Sequence, residues 1–190
     1  MDLVSLFISA FLINNIVLSK FLGMCPFMGV SKKSESAIGM GAAVTFVIVG
    51  SSIITYGLYH YVLVPNGLEF MYLISFILVI ASFVQFVEMI IKYYTPSLYK
   101  TLGIYLPLIT TNCTVLFVAK ENINQGFNFL EMLTYSFAVP LGFTLVIYLF
   151  STIREKMESN DIPTSFKGNP IALIVAAIMA LAITGLAGLV

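Results

Sequence analysis

The stretch FLGMCPFMGV at residues 21–30, together with LITTNCTVL at residues 108–116, decides how this chain is read. Each holds one cysteine, Cys25 or Cys113, inside an apolar run interrupted by small and polar residues, and the two lie 88 positions apart. Gly23, Pro26 and Gly29 surround the first. Pro107 precedes the second by six positions, and Thr110, Thr111, Asn112 and Thr114 surround it. Proline removes an amide donor and kinks a helix, so backbone continuity is expected to fail around both cysteines. Ordinary kinks in ordinary helices are the plainer alternative.

The surroundings of these stretches are those of a membrane protein. Of 190 residues, 59% are hydrophobic and 9% charged, against roughly 25% charged in soluble domains; mean hydropathy is +1.02. Apolar segments at about Leu3 to Leu22, Ile38 to Leu58, Phe70 to Ile91, Leu102 to Ala119, Leu130 to Ile153 and Pro170 to Val190 each approach the roughly 20 residues of a spanning helix. The expected fold is all-α with six transmembrane helices in a single domain, which leaves little chain for nucleotide chemistry. Non-helical backbone at membrane depth is tolerated only under protein or beside water, so the cysteine stretches are expected to be protein-lined. A cleaved signal peptide is not expected, because MDLVSLFISA carries Asp2 in place of a basic region and lacks a small-residue cleavage site. Met24 is too large for the residue beside a lipidated cysteine.

Charge sets the expected orientation. Lys32, Lys33, Lys92, Lys100, Arg154, Lys156 and Lys167 fall on one side, whereas the loops at about 59 to 69 and 120 to 129 contribute only Lys120. By the excess of Lys and Arg in cytoplasmic loops, both termini should face away from the cytoplasm. Net charge is zero, which excludes an electrostatic footprint for nucleic acid.

Three spans on either side of a join near Tyr94 to Leu102 suggest two repeats, about 1–95 and 96–190. An odd number of spans inverts the second repeat relative to the first, as in many transporters. Asn14 and Asn15 in one half and Asn112 in the other precede a cysteine, and Glu35 and Glu131 precede the next helix. A pseudo-twofold axis would bring Cys25 and Cys113 together, where repeat interfaces hold their sites.

A free cysteine in a membrane helix is usually a small hydrophobe, and a disulfide needs both sulfurs at one depth. Metal ligation by thiolates favours iron–sulfur clusters, zinc or copper(I). A [2Fe-2S] cluster takes four cysteine thiolates, so two would have to come from another chain, either a copy of this one or a relative of it. Asn15, Thr111 and Asn112 are candidate hydrogen-bond donors around such a group, and interhelical hydrogen bonding explains them equally well. In FVQFVEMIIKYY, Gln85, Glu88 and Lys92 share a helix face, which suggests a structural Glu88–Lys92 ion pair, with a role on an ion pathway as the alternative; Lys20 either snorkels or meets an acidic neighbour. Ala172, Ala176, Ala180, Thr184 and Gly188 form a small-residue stripe for close helix packing. Pro140 and Gly142 suggest a kink, with nearby Ser and Thr serving freed carbonyls. There is no Gly-rich nucleotide loop, no Ser-His-Asp set and no His pair, His60 standing alone in an expected outer loop.

NNIVLSKFLGMCPFMGVSKKSESAIGMG at Asn14 to Gly41 and YLPLITTNCTVL at Tyr105 to Leu116 resemble the RnfA/NqrE family, and within it the A-type membrane component of the Rnf electron transport complex, an ion-translocating ferredoxin:NAD oxidoreductase. The E-type component of the sodium-translocating NADH:quinone oxidoreductase is its sister and the nearest alternative. The resemblance covers essentially the whole chain, with no departure at the motif positions. It implies a prokaryotic cell-membrane protein facing a homologous partner, the E-type Rnf component RnfE, which has the opposite orientation. It also implies that Cys25 and Cys113 supply two ligands to one shared intramembrane [2Fe-2S] cluster. Such a cluster relays electrons across the membrane, coupled to Na⁺ or H⁺ transport, while flavins and NAD belong to the other Rnf components (B, C, D and G). No Ser/Thr-Gly-Ala-Thr stretch for covalent flavin occurs here. An inverted-repeat carrier of ions or small molecules, with incidental cysteines, is the competitor from a different class.

Overall fold

Apolar side chains at helical spacing govern the architecture seen in a computed structural model, which describes residues 3–13, 15–31, 34–94, 108–109, 112–158, 163 and 168–187. Among these, all regular elements are helical. Helix α1 (Leu3–Ile8) runs into a π-helical turn (Ser9–Ile13), and short helices α2 (Ile16–Lys20) and α3 (Met24–Val30) follow. Helix α4 (Ser34–Leu58) continues through a second π-turn (Tyr59–Leu63) into α5 (Val64–Asn66). Beyond a 3₁₀ turn (Glu69–Met71) come α6 (Tyr72–Tyr94), α7 (Cys113–Asn124), α8 (Phe129–Glu158) and α9 (Asn169–Ala187).

Ser36–Asn66, Tyr72–Ile90 and Phe129–Met157 are long and apolar enough to cross a membrane. At a rise of 1.5 Å per residue, the 31 residues of the first reach ~46 Å, beyond the ~30 Å hydrocarbon core. Leu3–Leu12 and Asn169–Gly185 are shorter apolar helices. The first apolar segment, Leu3 to Leu22, is therefore not one continuous span, because its helix breaks at Asn15 and again at Phe21–Gly23. Residues 59–66 are helix rather than loop, and His60 stacks on Tyr56 with ring centroids 6.1 Å apart. Pro65 comes just after the π-turn, so its missing donor falls where the hydrogen-bond ladder already changes register.

Helices α4 and α8 form the centre. They pack along one another, α4 also packs on α7 and α6, and α1 with its π-turn packs on α8. Met40, Val44, Val47 and Ile48 of α4 and Val139, Phe143, Val146, Ile147 and Phe150 of α8 are buried, at the three- and four-residue spacing of one helix face. Buried hydroxyls bond back within their own helix: Ser51 to the Val47 carbonyl at 2.5 Å and Thr55 to that of Ser51 at 2.7 Å. Helix α8 runs through Pro140, and Thr144 Oγ1 donates to the Pro140 carbonyl at 2.7 Å. At its start Glu131 Oε2 accepts from the Asn128 amide at 3.0 Å, one arm of a capping box. Ala172, Ala176 and Ala180 are buried, and α9 packs on α2 and the first π-turn, so these three residues of the small-residue stripe serve packing within this chain, while Thr184 is exposed. Gly188 lies outside the described residues. On the exterior, Phe46, Leu78, Phe86, Met89 and Leu181 are exposed, the surface of a chain whose solvent is lipid.

A β-carbon at Gly41 would fall on the side chain of Thr144, which its bond to the Pro140 carbonyl holds in place. Gly41→Val should lower stability by ~1–3 kcal/mol through overpacking. Gly39→Ala, whose added carbon meets nothing within 4 Å, should raise it by up to ~1 kcal/mol. Unfolding midpoints in detergent micelles check both.

Candidate functional site

The approach to Cys25 is set by two left-handed residues. Helix α2 ends at Lys20, Phe21 has φ 53° and Gly23 has φ 79°, and the Leu22 amide donates to the Ile16 carbonyl at 3.3 Å. Left-handed backbone is unusual for phenylalanine and natural for glycine. Glycine is required at 23 on a second count. A β-carbon there would lie 2.5 Å from Thr114 Oγ1 and 3.2 Å from Phe143 Cε2. Gly23 caps α3, which places Cys25 in its first turn beside Pro26, a position where proline costs no hydrogen bond.

Cys113 is reached by a different device with a similar result. Asn112 is extended (φ −70°, ψ 113°), its Oδ1 accepts from the Thr114 amide at 3.1 Å, and Cys113 is the first residue of α7. Asn15 caps α2 in the same way, with φ −62°, ψ 116° and Oδ1 accepting from the Val17 amide at 3.1 Å. Asn15 Nδ2 also donates to the Gly142 carbonyl at 3.0 Å, whereas Asn112 Nδ2 and Thr114 Oγ1 are buried without a partner.

The two stretches meet. The Gly23 amide donates to Cys113 Sγ at 3.0 Å, across 90 positions of sequence, and both cysteines are exposed at the surface of the chain. Two thiols near two helix starts, where backbone N–H groups and the helix dipole favour negative charge, suit a soft cation as thiolates. Among the described residues no group of three or more His, Cys, Asp or Glu lies together, so the two thiols would fill at most two positions of a four-coordinate site.

The far end of α3 is clamped by α8. Buried Arg154 donates through Nη1 to the Met28 carbonyl at 3.1 Å and to Ser31 Oγ at 2.9 Å, a cation at the carbonyl end of a helix. Glu155 Oε1 accepts from the amide and hydroxyl of Ser34 at 2.9 and 3.2 Å, an anion at the amide end of α4. Phe27 stacks on Phe150 between them, with centroids 4.4 Å apart. Neighbouring residues of one helix thus complement both dipoles at the α3–α4 junction.

Residues 3–190 match the family described as "Rnf-Nqr subunit, membrane protein". The chain belongs to the Rnf-Nqr family of membrane proteins. It is 54% identical over 185 residues to the A-type component of the "Ion-translocating oxidoreductase complex" of Aliivibrio salmonicida, covering 97% of this chain and 96% of that protein. It is 52% identical over 189 residues to the A-type component of the "Na(+)-translocating ferredoxin:NAD(+) oxidoreductase complex" of Acetobacterium woodii, covering 100% and 98%. Those relatives are, by name, parts of a redox-driven ion translocase.

In this Rnf-Nqr protein the fold brings the Gly23 amide, two residues before Cys25, onto the sulfur of Cys113 beside Asn112, while Asn15 sits at the start of α2, bonded to α8. Thr111 lies outside the described residues, as do Asn14, Pro107 and Thr110. Lys20 is exposed, and its Nζ stands over the Phe117 ring, 5.3 Å from the centroid. Three residues were not legible as site residues in the sequence: Gly23 as donor to sulfur, and Arg154 and Glu155 as a clamp. A Gly two positions before a Cys was the only local signal.

Removing these supports should separate them by size. Asn112→Ala should cost ~1 kcal/mol for a lost cap. Asn15→Ala should cost ~2 kcal/mol, because the Gly142 carbonyl also loses its donor. Arg154→Met should cost ~1.5–3 kcal/mol, the range for hydrogen bonds from a charged group. Denaturant unfolding of the detergent-solubilised protein gives the ranking.

Proposed function

We propose that this chain is the A-type membrane component of an ion-translocating ferredoxin:NAD oxidoreductase, and that Cys25 and Cys113 hold one half of a [2Fe-2S] cluster. Two cysteines of a homologous protein of opposite orientation, the E-type Rnf component, supply the other half. The observation that carries this reading is the 3.0 Å contact of the Gly23 amide with Cys113 Sγ, two residues from Cys25, with both thiols exposed. A donor already placed on a cysteine sulfur would spread the charge of a thiolate ligand. Asn112 Nδ2 and Thr114 Oγ1, buried and unpartnered, are further donors beside it, and Asn15 and Thr111 complete the proposed surroundings. When bound, such a cluster supplies one-electron transfer; this chain's part is to hold the thiolates, donate to them and keep water away.

The finer architecture belongs to the same proposal: one transmembrane domain of six spans, as inverted three-helix repeats of about 1–95 and 96–190. Asn15 capping α2 and Asn112 capping α7 support it. Both termini would lie on the non-cytoplasmic side of a prokaryotic inner membrane, with flavins and NAD on the remaining components.

Cys25→Ser and Cys113→Ser, each in the purified complex, should abolish the cluster's EPR signal and remove two irons per complex. A carrier with incidental cysteines would keep its transport after both changes. Maleimide should label both thiols in the isolated chain and neither in the assembled complex; equal labelling in the two would remove the shared site.

A further inference from the structure

Three contacts set the register of α3, the helix that carries Cys25, against α8. A β-carbon at Gly23 would lie 3.2 Å from Phe143 Cε2, Phe27 stacks on Phe150 with centroids 4.4 Å apart, and Arg154 Nη1 donates to Ser31 Oγ at 2.9 Å. Gly23, Phe27 and Ser31 follow one another at four-residue steps, and Phe143, Phe150 and Arg154 at steps of seven and four. One face of α3 therefore meets one face of α8 at successive turns. Cys25 falls between the contacting positions and is exposed, so its place in the site is inherited from that register.

The last of these contacts alone carries charge. Arg154 is only 8% exposed, a guanidinium does not deprotonate, and both of its acceptors, the Met28 carbonyl and the Ser31 hydroxyl, are neutral. A neutral amide could donate to them at a lower desolvation cost. What the guanidinium adds is a full positive charge kept out of water. Glu155, next along α8, is exposed, where water and salt screen its carboxylate. The Met28 carbonyl lies three residues beyond Cys25, ~4.5 Å of helix rise. A cation at that range, acting through packed protein, favours whichever state of a neighbouring site is the more negative. Taking up one electron makes a thiolate-held cluster more negative by one unit, and net charge and solvent exposure are among the factors that set its potential.

We propose that Arg154 is a positioning residue for the cysteine site, which fixes α3 in register on α8 and sets, through its buried charge, how readily the cluster accepts an electron. This deepens the proposed function and rests on it.

The test uses the purified complex. The cluster's EPR signal is followed against potential in a mediator titration, and iron is measured on the same samples. Arg154→Gln, which keeps an amide donor and loses the charge, should lower the equilibrium constant for one-electron reduction on the order of tenfold, or ~59 mV. A unit charge ~10 Å away at an effective dielectric of ~20 accounts for a shift of that size. Arg154→Lys keeps the charge and should hold the midpoint near the native value. Ser31→Asp gives Arg154 an anionic partner while retaining the contact, and should lower the midpoint as Arg154→Gln does. Ser31→Ala removes a hydrogen bond but no charge, and should leave the midpoint in place, which a purely structural role would not distinguish from Ser31→Asp. If Arg154→Gln does not assemble, the contrast between the two Ser31 variants carries the test. Native midpoints in the charge-altering variants, with iron and EPR signal intact, overturn the role of Arg154 and leave the cluster reading standing. A native complex without iron or EPR signal overturns the cluster reading, and the role of Arg154 with it.

Discussion

The amide of Gly23 and the sulfur of Cys113 can meet at 3.0 Å only because nothing stands between them. As an interaction a hydrogen bond to sulfur is modest, but it requires the backbone of one stretch to lie against the start of another helix. Any side chain at 23 would press on Thr114 and Phe143, and any residue but glycine would resist φ 79°. The rest of the region follows from that approach. Phe21 must also turn left-handed to redirect α2 into α3, and α3, only seven residues long, must be held from outside. Its start rests on the α7 stretch and its end on Arg154, with Phe27 stacked on Phe150 on the way.

Breaking helices inside an apolar chain frees backbone groups that lipid cannot satisfy, and the polar residues sit where those groups are freed. Asn15 and Asn112 do the same work at α2 and α7, but only the first uses its amide nitrogen, on the Gly142 carbonyl. The spare donor of Asn112 and the spare hydroxyl of Thr114 are next to Cys113. Buried polar groups left without partners are unfavourable; Ser52, Asn122 and Ser151 carry others elsewhere among the described residues, and the two beside Cys113 are the ones placed to donate to a ligand on its sulfur. In the proposed reading that ligand is the cluster.

Composition and apolar run length made α4, α6, α8 and α9 legible, because a helix of about 20 apolar residues has few other solutions in lipid. Glycine and proline likewise announced the break before Cys25. The break at Asn15 was not legible, since no glycine or proline marks residues 5–15; it is stabilised by Gly142, 127 positions away. The gap between the apolar segments ending at Leu58 and starting at Phe70 suggested a loop, whereas helical backbone continues to Asn66. Arg154 was visible only as one more cytoplasmic charge, because its partners Met28 and Ser31 lie 126 and 123 positions distant. Long-range hydrogen bonds of this kind leave no periodicity to read.

One further step concerns the exposed thiols. Phe21, Cys25 and Cys113 all lie on the outside of the chain, beside backbone that is not helical at residues 21–23 and 112. Lipid-exposed irregular backbone does not persist in the hydrocarbon region. A single copy of this chain thus leaves uncovered the very face that its glycine, its caps and its α8 clamp are arranged to build. In the proposed reading the cover is protein, and it brings the two further sulfurs that a four-coordinate site needs. On that proposal the physical demand for a cover and the chemical demand for ligands fall on the same surface, and the proposed homologous partner would meet both.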